Sequence, residues 1–136
     1  GLGVDGSSSN DSGHMLNEAR QAMLLQRVGG NPAALTARDA LEMATRDGAR
    51  VLNRDDIGIL APGYAADLAA FDLNVIDFAG AHSDPIAALI FCGPVKANHT
   101  IINGKAVVRD GQLTTMDLRV LMQRHRKFSI DLVNNA

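Results

Sequence analysis

The residues best suited to chemistry lie at the start of the chain, where Asp5 follows a short apolar run, Leu2 to Val4. A loop rich in Gly, Ser and Asn comes next, and an amphipathic helix pattern begins after it. This order predicts a strand, a loop and a helix, with a carboxylate at the carboxyl end of the strand. Barrels of alternating strands and helices keep their catalytic groups at that edge, so Asp5 is the candidate catalytic residue. The alternative is a turn residue whose carboxylate accepts from nearby backbone amides, and spacing alone favours it.

The loop after Asp5 leads into the first predicted helix, which is amphipathic. Its apolar face consists of Met15, Leu16, Ala19, Ala22, Met23 and Leu25. Asp11 or Ser12 is predicted to cap its N-terminal amides, and Gly29 and Gly30 end it. His14 lies at the helix start, within reach of a ligand beside Asp5. A surface position next to the cap is the competing interpretation of His14.

A capping-box pattern, Thr36 to Asp39, begins a second predicted helix that extends to Leu52. Its small apolar residues recur at spacings of three and four, which is typical of a packing helix. Residues 66–72 form a mostly apolar run, typical of a strand buried on both faces. We interpret Asp67 and Asp72, which flank that run, as carboxylates bonded to the backbone.

The last part of the chain predicts two helices and a hairpin. A short helix is expected over residues 84–92, closed by Gly93 and Pro94. Asn103 and Gly104 join two β-rich runs and predict a hairpin turn, and a second turn is expected at residues 110–111. A capping box over residues 114–117 is predicted to start a C-terminal helix. The apolar face of this helix would consist of Leu118, Leu121, Met122, His125, Phe128 and Leu132.

Composition indicates one ordinary domain, because the chain has 136 residues and 46% of them are hydrophobic. The formal net charge of -2 gives no electrostatic reason to expect nucleic acid or an anionic membrane as partner. No apolar run approaches the roughly 20 residues that span a bilayer. Cys92 is the only cysteine, so it cannot form a disulfide within the chain, which is compatible with a reducing cytoplasm. Its apolar neighbours predict a buried side chain. The opening βα pattern without an initiator Met indicates a piece of a larger protein.

Three stretches together resemble the amidohydrolase superfamily. The run Gly3-Val-Asp-Gly-Ser-Ser-Ser-Asn10, with the helix that follows it, resembles the eighth barrel strand and its helix. Residues 58–63 and 66–72 are similar to the passage into the family's small β-sandwich domain, and residues 101–111 resemble its closing hairpin. The order of these motifs resembles the branch that holds cytosine, guanine and S-adenosylhomocysteine deaminases and triazine hydrolases. Within that branch, residues 5–15 most resemble 8-oxoguanine deaminases.

The resemblance implies an α/β fold, made of the last βα unit of a (β/α)8 TIM barrel, the C-terminal part of the small β-sandwich domain and a terminal helix. Residues 1–56 would be the final strand, loop and helices of the barrel. Residues 57–112 would belong to the β-sandwich domain, with a short helix at residues 84–92. Residues 113–136 would form the C-terminal helix.

The resemblance also implies a mononuclear metal hydrolase that deaminates a purine-like or related N-heterocycle. Zinc is the first choice of metal and Fe²⁺ the second. Asp5 would bind the metal or its water and move a proton toward the leaving group. The loop of residues 7–12 would lie at the rim of the site, and Ser8, Asn10 and His14 are the predicted substrate-binding residues. A homo-oligomer is also expected.

The sequence departs from the family in one respect that decides its activity. The His-x-His pair, the two later histidines and the catalytic Glu of the family are absent, and the four histidines present match none of those motifs. A catalytic zinc needs about three protein ligands plus water, and a (β/α)8 barrel needs about 250 residues. We therefore expect a C-terminal third of a hydrolase, inactive alone, whose partner is the missing N-terminal part of the barrel.

Three alternatives stay open at this point. An s-triazine chloro- or aminohydrolase of the same superfamily would carry similar motifs. A non-catalytic module could self-associate or bind the missing barrel half through the apolar residues 2–4 and 68–71. A urease-like or hydantoinase-like relative, which differs in metal count, is disfavoured because the Ser- and Asn-rich loop suits the deaminase branch better.

Overall fold

The structure, a computed structural model, describes residues 1–93 and 95–135. Its helices are α1 (Met15–Val28), α2 (Ala37–Ala44), α3 (Arg46–Val51), α4 (Pro85–Phe91) and α5 (Leu118–Asn134), with a 3-10 turn at Ile76–Phe78. Its strands are β1 (Leu68–Ala70), β2 (His99–Ile102), β3 (Lys105–Arg109) and β4 (Gln112–Leu113). Within the described ranges, no helix is long and apolar enough to cross a membrane.

The core lies where α1, α2 and α4 meet. Its buried side chains are Ala19, Met23, Ala37, Ala40 and Ile90. Three of them are alanines, which let the helix backbones approach closely and leave the space between them to Met23 and Ile90. Helix α4 therefore packs on the helices of residues 1–56, although its sequence position had grouped it with the β-sandwich part.

An ion pair ties α2 to the start of α4. The Arg38 guanidinium donates to both carboxylate oxygens of Asp84, at 2.8 and 3.1 Å. Asp84 also caps α4 by accepting from the Ala87 amide at 3.0 Å, and Pro85 occupies the first helical position. The hydrogen bonds from Arg38 hold the pKa of the Asp84 carboxyl below its ordinary value of 3.8. The helix predicted over residues 84–92 is confirmed, and Pro94, expected to help close it, lies outside the described residues.

The capping predictions have mixed outcomes. The capping box of Thr36 and Asp39 is confirmed, since each side chain accepts from the other's backbone amide. The predicted cap of α1 is wrong, because the helix begins after His14 and no side chain caps it. The predicted second helix is divided into α2 and α3 at Thr45, whose backbone leaves the helical region (φ -123, ψ -90) while its hydroxyl donates to the Leu41 carbonyl at 2.8 Å.

The four strands form an antiparallel sheet in the order β1-β2-β3-β4. The hairpin turn predicted at Asn103 and Gly104 is confirmed, and both residues have positive φ (47 and 77), as a type I′ turn requires. Asp110 and Gly111 repeat this geometry and turn the chain into β4, a strand that the sequence pattern did not indicate.

The strand predicted over residues 66–72 is shorter and more exposed than expected. Only Leu68–Ala70 is a strand, with Leu68 half-buried and the next two residues exposed. It is an edge strand of the sheet. The interpretation of the flanking acids is confirmed, because Asp67 accepts from the Asn103 amide at 2.6 Å and Asp72 accepts from the Asn74 amide at 2.8 Å.

Four further expectations need correction. Residues 2–4 are not a strand, since a strand requires a hydrogen-bonded neighbour and the described residues provide none for them. Helix α5 begins at Leu118 with Asp117 as its cap, whereas the Thr114 hydroxyl donates to the Ala106 carbonyl at 2.7 Å. No described residue of α5 is buried, and its predicted apolar face is exposed apart from the half-buried Leu118. Cys92 is half-buried rather than buried, and its thiol is free.

Candidate active site

Asp5 occupies an unusual backbone conformation at the point where the chain enters its first loop. Its φ is +59, in the left-handed region that residues other than Gly rarely adopt. The Gly6 amide donates to Asp5 Oδ1 at 2.8 Å, and the side chain is exposed. Backbone strain of this kind is retained where the surroundings hold it in place and is often found at functional sites. The carboxylate is thus presented to solvent at the end of the opening segment.

The loop after Asp5 closes on a single carbonyl. The backbone amides of Ser9 and Asn10 both donate to the Gly6 oxygen, each at 2.9 Å. Ser8 lies at the outer part of this turn and is exposed. Its hydroxyl is therefore open to a ligand that approaches from the solvent side of the loop.

The Asn10 side chain connects the loop to α1. Its amide nitrogen donates to Glu18 Oε1 at 2.7 Å, and its oxygen accepts from the Ser12 amide at 3.0 Å. Asn17, next to Glu18 on the helix, donates to the Ser12 hydroxyl at 3.2 Å. Both polar atoms of Asn10 thus have partners within the protein.

The ring of His14 is directed toward the segment that precedes β2. Its Nε2 lies 3.2 Å from the Val95 carbonyl oxygen. Because a carbonyl only accepts, Nε2 carries the proton in this contact and Nδ1 is left with a lone pair. His14 Nδ1 is buried and has no hydrogen-bond partner among the described residues. The structure therefore uses His14 to connect α1 with the sheet, beside the loop that Asp5 begins.

The donor set of the described residues does not make a complete zinc site. No group of three or more His, Cys, Asp or Glu side chains comes together within residues 1–93 and 95–135. Two of the histidines have contacts elsewhere: His82 Nε2 lies 3.0 Å from the Leu73 carbonyl oxygen, and His99 Nε2 lies 3.6 Å from Asp110 Oδ1. Asp5, exposed and with one carboxylate oxygen bound to its neighbour's amide, fits the part of one ligand.

An apolar groove of about 1050 Å³ lies on the side of the helices that faces β1. The opening residues 1–3, the start of α1, the α2–α3 pair and β1 form its walls. Its lining includes the side chains of Leu2, Leu16, Leu41, Leu68 and Phe71. The two apolar runs that the sequence analysis considered as docking surfaces, residues 2–4 and 68–71, thus both contribute to one groove.

The whole arrangement matches one protein family. The sequence profile of the amidohydrolase family matches residues 1–107, which include Asp5, the loop after it, helices α1 to α4, strands β1 and β2 and the first part of β3. The chain belongs to the amidohydrolase family. The resemblance inferred from the sequence motifs is therefore confirmed.

Three relatives of this amidohydrolase chain illustrate the match. An 8-oxoguanine deaminase of Pseudomonas aeruginosa is 47% identical over 133 residues, which are 98% of this chain and 29% of that protein. The structure of an adenosine deaminase from Xanthomonas campestris with bound zinc superposes with a TM-score of 0.88 at 30% identity, covering 97% of this chain and 30% of that one. The zinc complex of the atrazine chlorohydrolase TrzN from Arthrobacter aurescens gives a TM-score of 0.80 at 37% identity, covering 88% and 27%.

These matches confirm the fold class, because the mixed helices and antiparallel sheet of this chain superpose on solved structures of the superfamily with TM-scores of 0.80 to 0.88. The chain spans about 30% of the length of the relatives that it matches. Relatives of this family are deaminases and related hydrolases, and both of the solved structures compared above contain zinc.

One residue at the site escaped the sequence analysis. Glu18, which no sequence motif singles out, accepts from the Asn10 side-chain amide eight residues away. This spacing fits neither a helical i, i+4 pair nor a capping box, so no local pattern indicates it. The pair forms only because the loop folds back over the first turn of α1.

Proposed function

We propose that this amidohydrolase chain is the C-terminal segment of a metal-dependent hydrolase that deaminates a purine-like N-heterocycle, as an 8-oxoguanine deaminase does. The observation that carries the proposal is the exposed Asp5 carboxylate, held in a left-handed backbone conformation at the start of a loop bonded to α1. The 47% identity to an 8-oxoguanine deaminase over nearly the whole chain supports the substrate class.

In this proposal Asp5 is one ligand of a metal ion, with zinc the preferred ion and Fe²⁺ the alternative. A bound zinc supplies a water of lowered pKa as nucleophile. The Asp5 carboxylate is exposed, so it can accept a proton on one of its oxygens and pass that proton on. Since a catalytic zinc takes about three protein ligands plus water, the other ligands would have to come from the part of the barrel that this chain does not contain.

The predicted substrate-binding residues near Asp5 differ in whether their side chains already have hydrogen-bond partners inside the protein. Ser8, exposed on the outer part of the loop, is the proposed substrate contact. Asn10 and His14, also predicted to contact substrate, have partners inside the protein at 2.7 Å and 3.2 Å respectively. Contact between these two residues and a substrate stays a prediction.

We further propose that the chain is inactive alone and that the remaining barrel strands are its partner. The groove of about 1050 Å³ is the surface they would cover, because it is apolar and both residues 1–3 and β1 line it. A cytoplasmic location and a homo-oligomer belong to the same proposal. The free thiol of Cys92 is compatible with a reducing compartment.

Two other functions have some support. A TM-score of 0.80 to the atrazine chlorohydrolase TrzN favours an s-triazine hydrolase as the second candidate. A non-catalytic module that associates with itself through the same apolar groove is the third. The two hydrolase candidates differ in their substrates, and both need the remaining barrel strands for activity. The non-catalytic module has no substrate.

The test measures turnover with and without the rest of the barrel. The 136-residue chain and a polypeptide that joins it to the remaining barrel strands are each loaded with zinc and offered 8-oxoguanine, guanine, cytosine and atrazine. We expect ammonia release from an oxopurine by the joined polypeptide only. Chloride or amine release from the triazine would favour the second candidate, and deamination by the 136-residue chain alone would contradict the proposed inactivity.

A further inference from the structure

The loop that presents Asp5 is tied to the helical core by one side-chain pair. The Asn10 amide nitrogen donates to Glu18 Oε1 at 2.7 Å, and this contact is partly buried. The acceptor is a carboxylate, which makes the bond stronger than one between neutral groups. Glu18 itself stands on α1 next to Ala19, which is fully buried against α2 and α4. The pair therefore connects a surface loop to a fixed point of the core.

The other contacts of Asn10 carry this connection to Asp5. Its backbone amide donates to the Gly6 carbonyl at 2.9 Å, and Gly6 in turn donates to Asp5 Oδ1 at 2.8 Å. Its side-chain oxygen accepts from the Ser12 amide at 3.0 Å, which fixes the side chain in the orientation that reaches Glu18. A continuous path of short contacts thus runs from α1 through Asn10 and Gly6 to the Asp5 carboxylate.

We propose that Asn10 and Glu18 form a positioning pair that holds Asp5 in its left-handed backbone conformation and so fixes the direction of its carboxylate. A non-Gly residue at φ +59 needs surroundings that hold it there. The pair supplies that restraint because it prevents the loop from lifting off α1. The catalytic part of this inference rests on the proposed function, whereas the conformational part does not.

Reversal of the hydrogen bond gives a sharp test. Asn10→Asp replaces the donor with a carboxylate that faces the carboxylate of Glu18, so the pair repels. Asn10→Asp combined with Glu18→Gln restores a hydrogen bond of opposite polarity, because the introduced glutamine amide can donate to the introduced aspartate, which still accepts from the Ser12 amide. Asn17→Asp is the matched control: it adds the same charge to the first turn of α1, and it can keep its contact with Ser12 in the reverse direction, because the hydroxyl that now accepts from Asn17 can donate to an aspartate.

The first readout is conformational and needs no metal. NMR on the 136-residue chain measures the HN–Hα and Cα–Hα couplings of Asp5, which together report the sign of φ, and far-UV circular dichroism confirms that each variant keeps its helices. We expect Asn10→Asp to move Asp5 out of positive φ, and both the double variant and Asn17→Asp to retain it. Unchanged couplings in Asn10→Asp, or no recovery in the double variant, would overturn the proposal. If Asn10→Asp does not fold, the couplings are measured in Glu18→Ala, which removes the acceptor without adding a charge. We expect Glu18→Ala also to move Asp5 out of positive φ.

The second readout is kinetic and uses the polypeptide that contains the remaining barrel strands. Removal of a supporting contact around a metal ligand costs about 10–100-fold in activity, so kcat/KM should fall by that factor in Asn10→Asp and recover in the double variant. A fall in kcat/KM that the double variant does not repair would contradict the pairing. Failure of the parent polypeptide to deaminate any substrate would overturn the proposed function, while the NMR couplings would still decide the positioning of Asp5.

Discussion

Gly58 follows α3 in the chain, and the structure predicts that an alanine there is strongly destabilising. Its φ is +88, and a Cβ atom added to it would lie 3.0 Å from both Ala49 Cβ and the Thr45 carbonyl oxygen. These neighbours belong to the α2–α3 pair, and Ala49 is buried. The backbone on that side cannot move without opening the helical core.

Gly63 is a matched control for this substitution. Its φ is also +88, but a Cβ atom there would meet nothing within 4 Å. The left-handed conformation costs a residue with a side chain about 1–2 kcal/mol, and the stiffer unfolded chain returns about 0.4–1 kcal/mol. Gly63→Ala should therefore lower the free energy of unfolding by about 1 kcal/mol. Gly58→Ala carries the same cost plus about 1–3 kcal/mol for the steric conflict.

Urea denaturation of the two variants, followed by far-UV circular dichroism, measures the difference. With an m-value of about 2 kcal/mol/M, a steric cost of about 2 kcal/mol separates their midpoints by about 1 M. Equal midpoints for Gly58→Ala and Gly63→Ala would show that the contact between residue 58 and the α2–α3 pair is not formed in solution, and would refute the reasoning.

The remaining predictions concern the core and the ion pair. Met23→Ala should lower the free energy of unfolding by about 2–5 kcal/mol because the side chain is fully buried, whereas Met116→Ala, at a residue that is 51% exposed, should change it by less than about 0.5 kcal/mol in the same urea titration. Arg38 lowers the pKa of Asp84 below 3.8, so the pair stabilises the fold above that value and its contribution is lost as the pH falls through the lowered pKa. Arg38→Gln should therefore lower the free energy of unfolding at about pH 6, and its difference from the parent should shrink as the pH falls below 3.8 and through the lowered pKa of Asp84. A difference that grows on acidification would contradict this assignment.

Local patterns predicted the parts of the fold that depend on neighbouring residues. The Asn103-Gly104 turn follows from the ability of both residues to adopt positive φ. The Thr36 and Asp39 capping box requires only a spacing of three residues. Both features need only residues that are close in the chain, so the sequence was sufficient to identify them, whereas the similar pattern over residues 114–117 does not form a capping box because Asp117 itself caps α5.

Features that depend on distant contacts were harder to predict. The short and exposed β1 was expected to be longer and buried, because an apolar run does not show whether a second layer covers it. The break at Thr45 divides what reads as a single amphipathic helix. The connection between Asn10 and Glu18 depends on how the loop folds over α1, which no residue spacing encodes.

For the site itself, the sequence predicted a candidate carboxylate but not its restraint. Asp5 was chosen from its position after an apolar run, and the motif resemblance raised it above a turn residue. The structure adds its left-handed backbone, its exposure and the path of contacts to α1. The assignment of Asp5 to a metal is still a prediction, since the described residues contain no other ligands grouped with it.

The most direct measurement of the central claim is the zinc content and oxopurine turnover of the polypeptide that joins this segment to the remaining barrel strands, compared with its Asp5→Ala variant. Asp11→Asn, a change at an exposed acid of the same loop, is the control. We predict that Asp5→Ala lowers kcat/KM for deamination by at least about 100-fold and weakens zinc binding, and that Asp11→Asn changes neither. Full turnover and full zinc content in Asp5→Ala would contradict the assignment of Asp5 as the metal-site carboxylate.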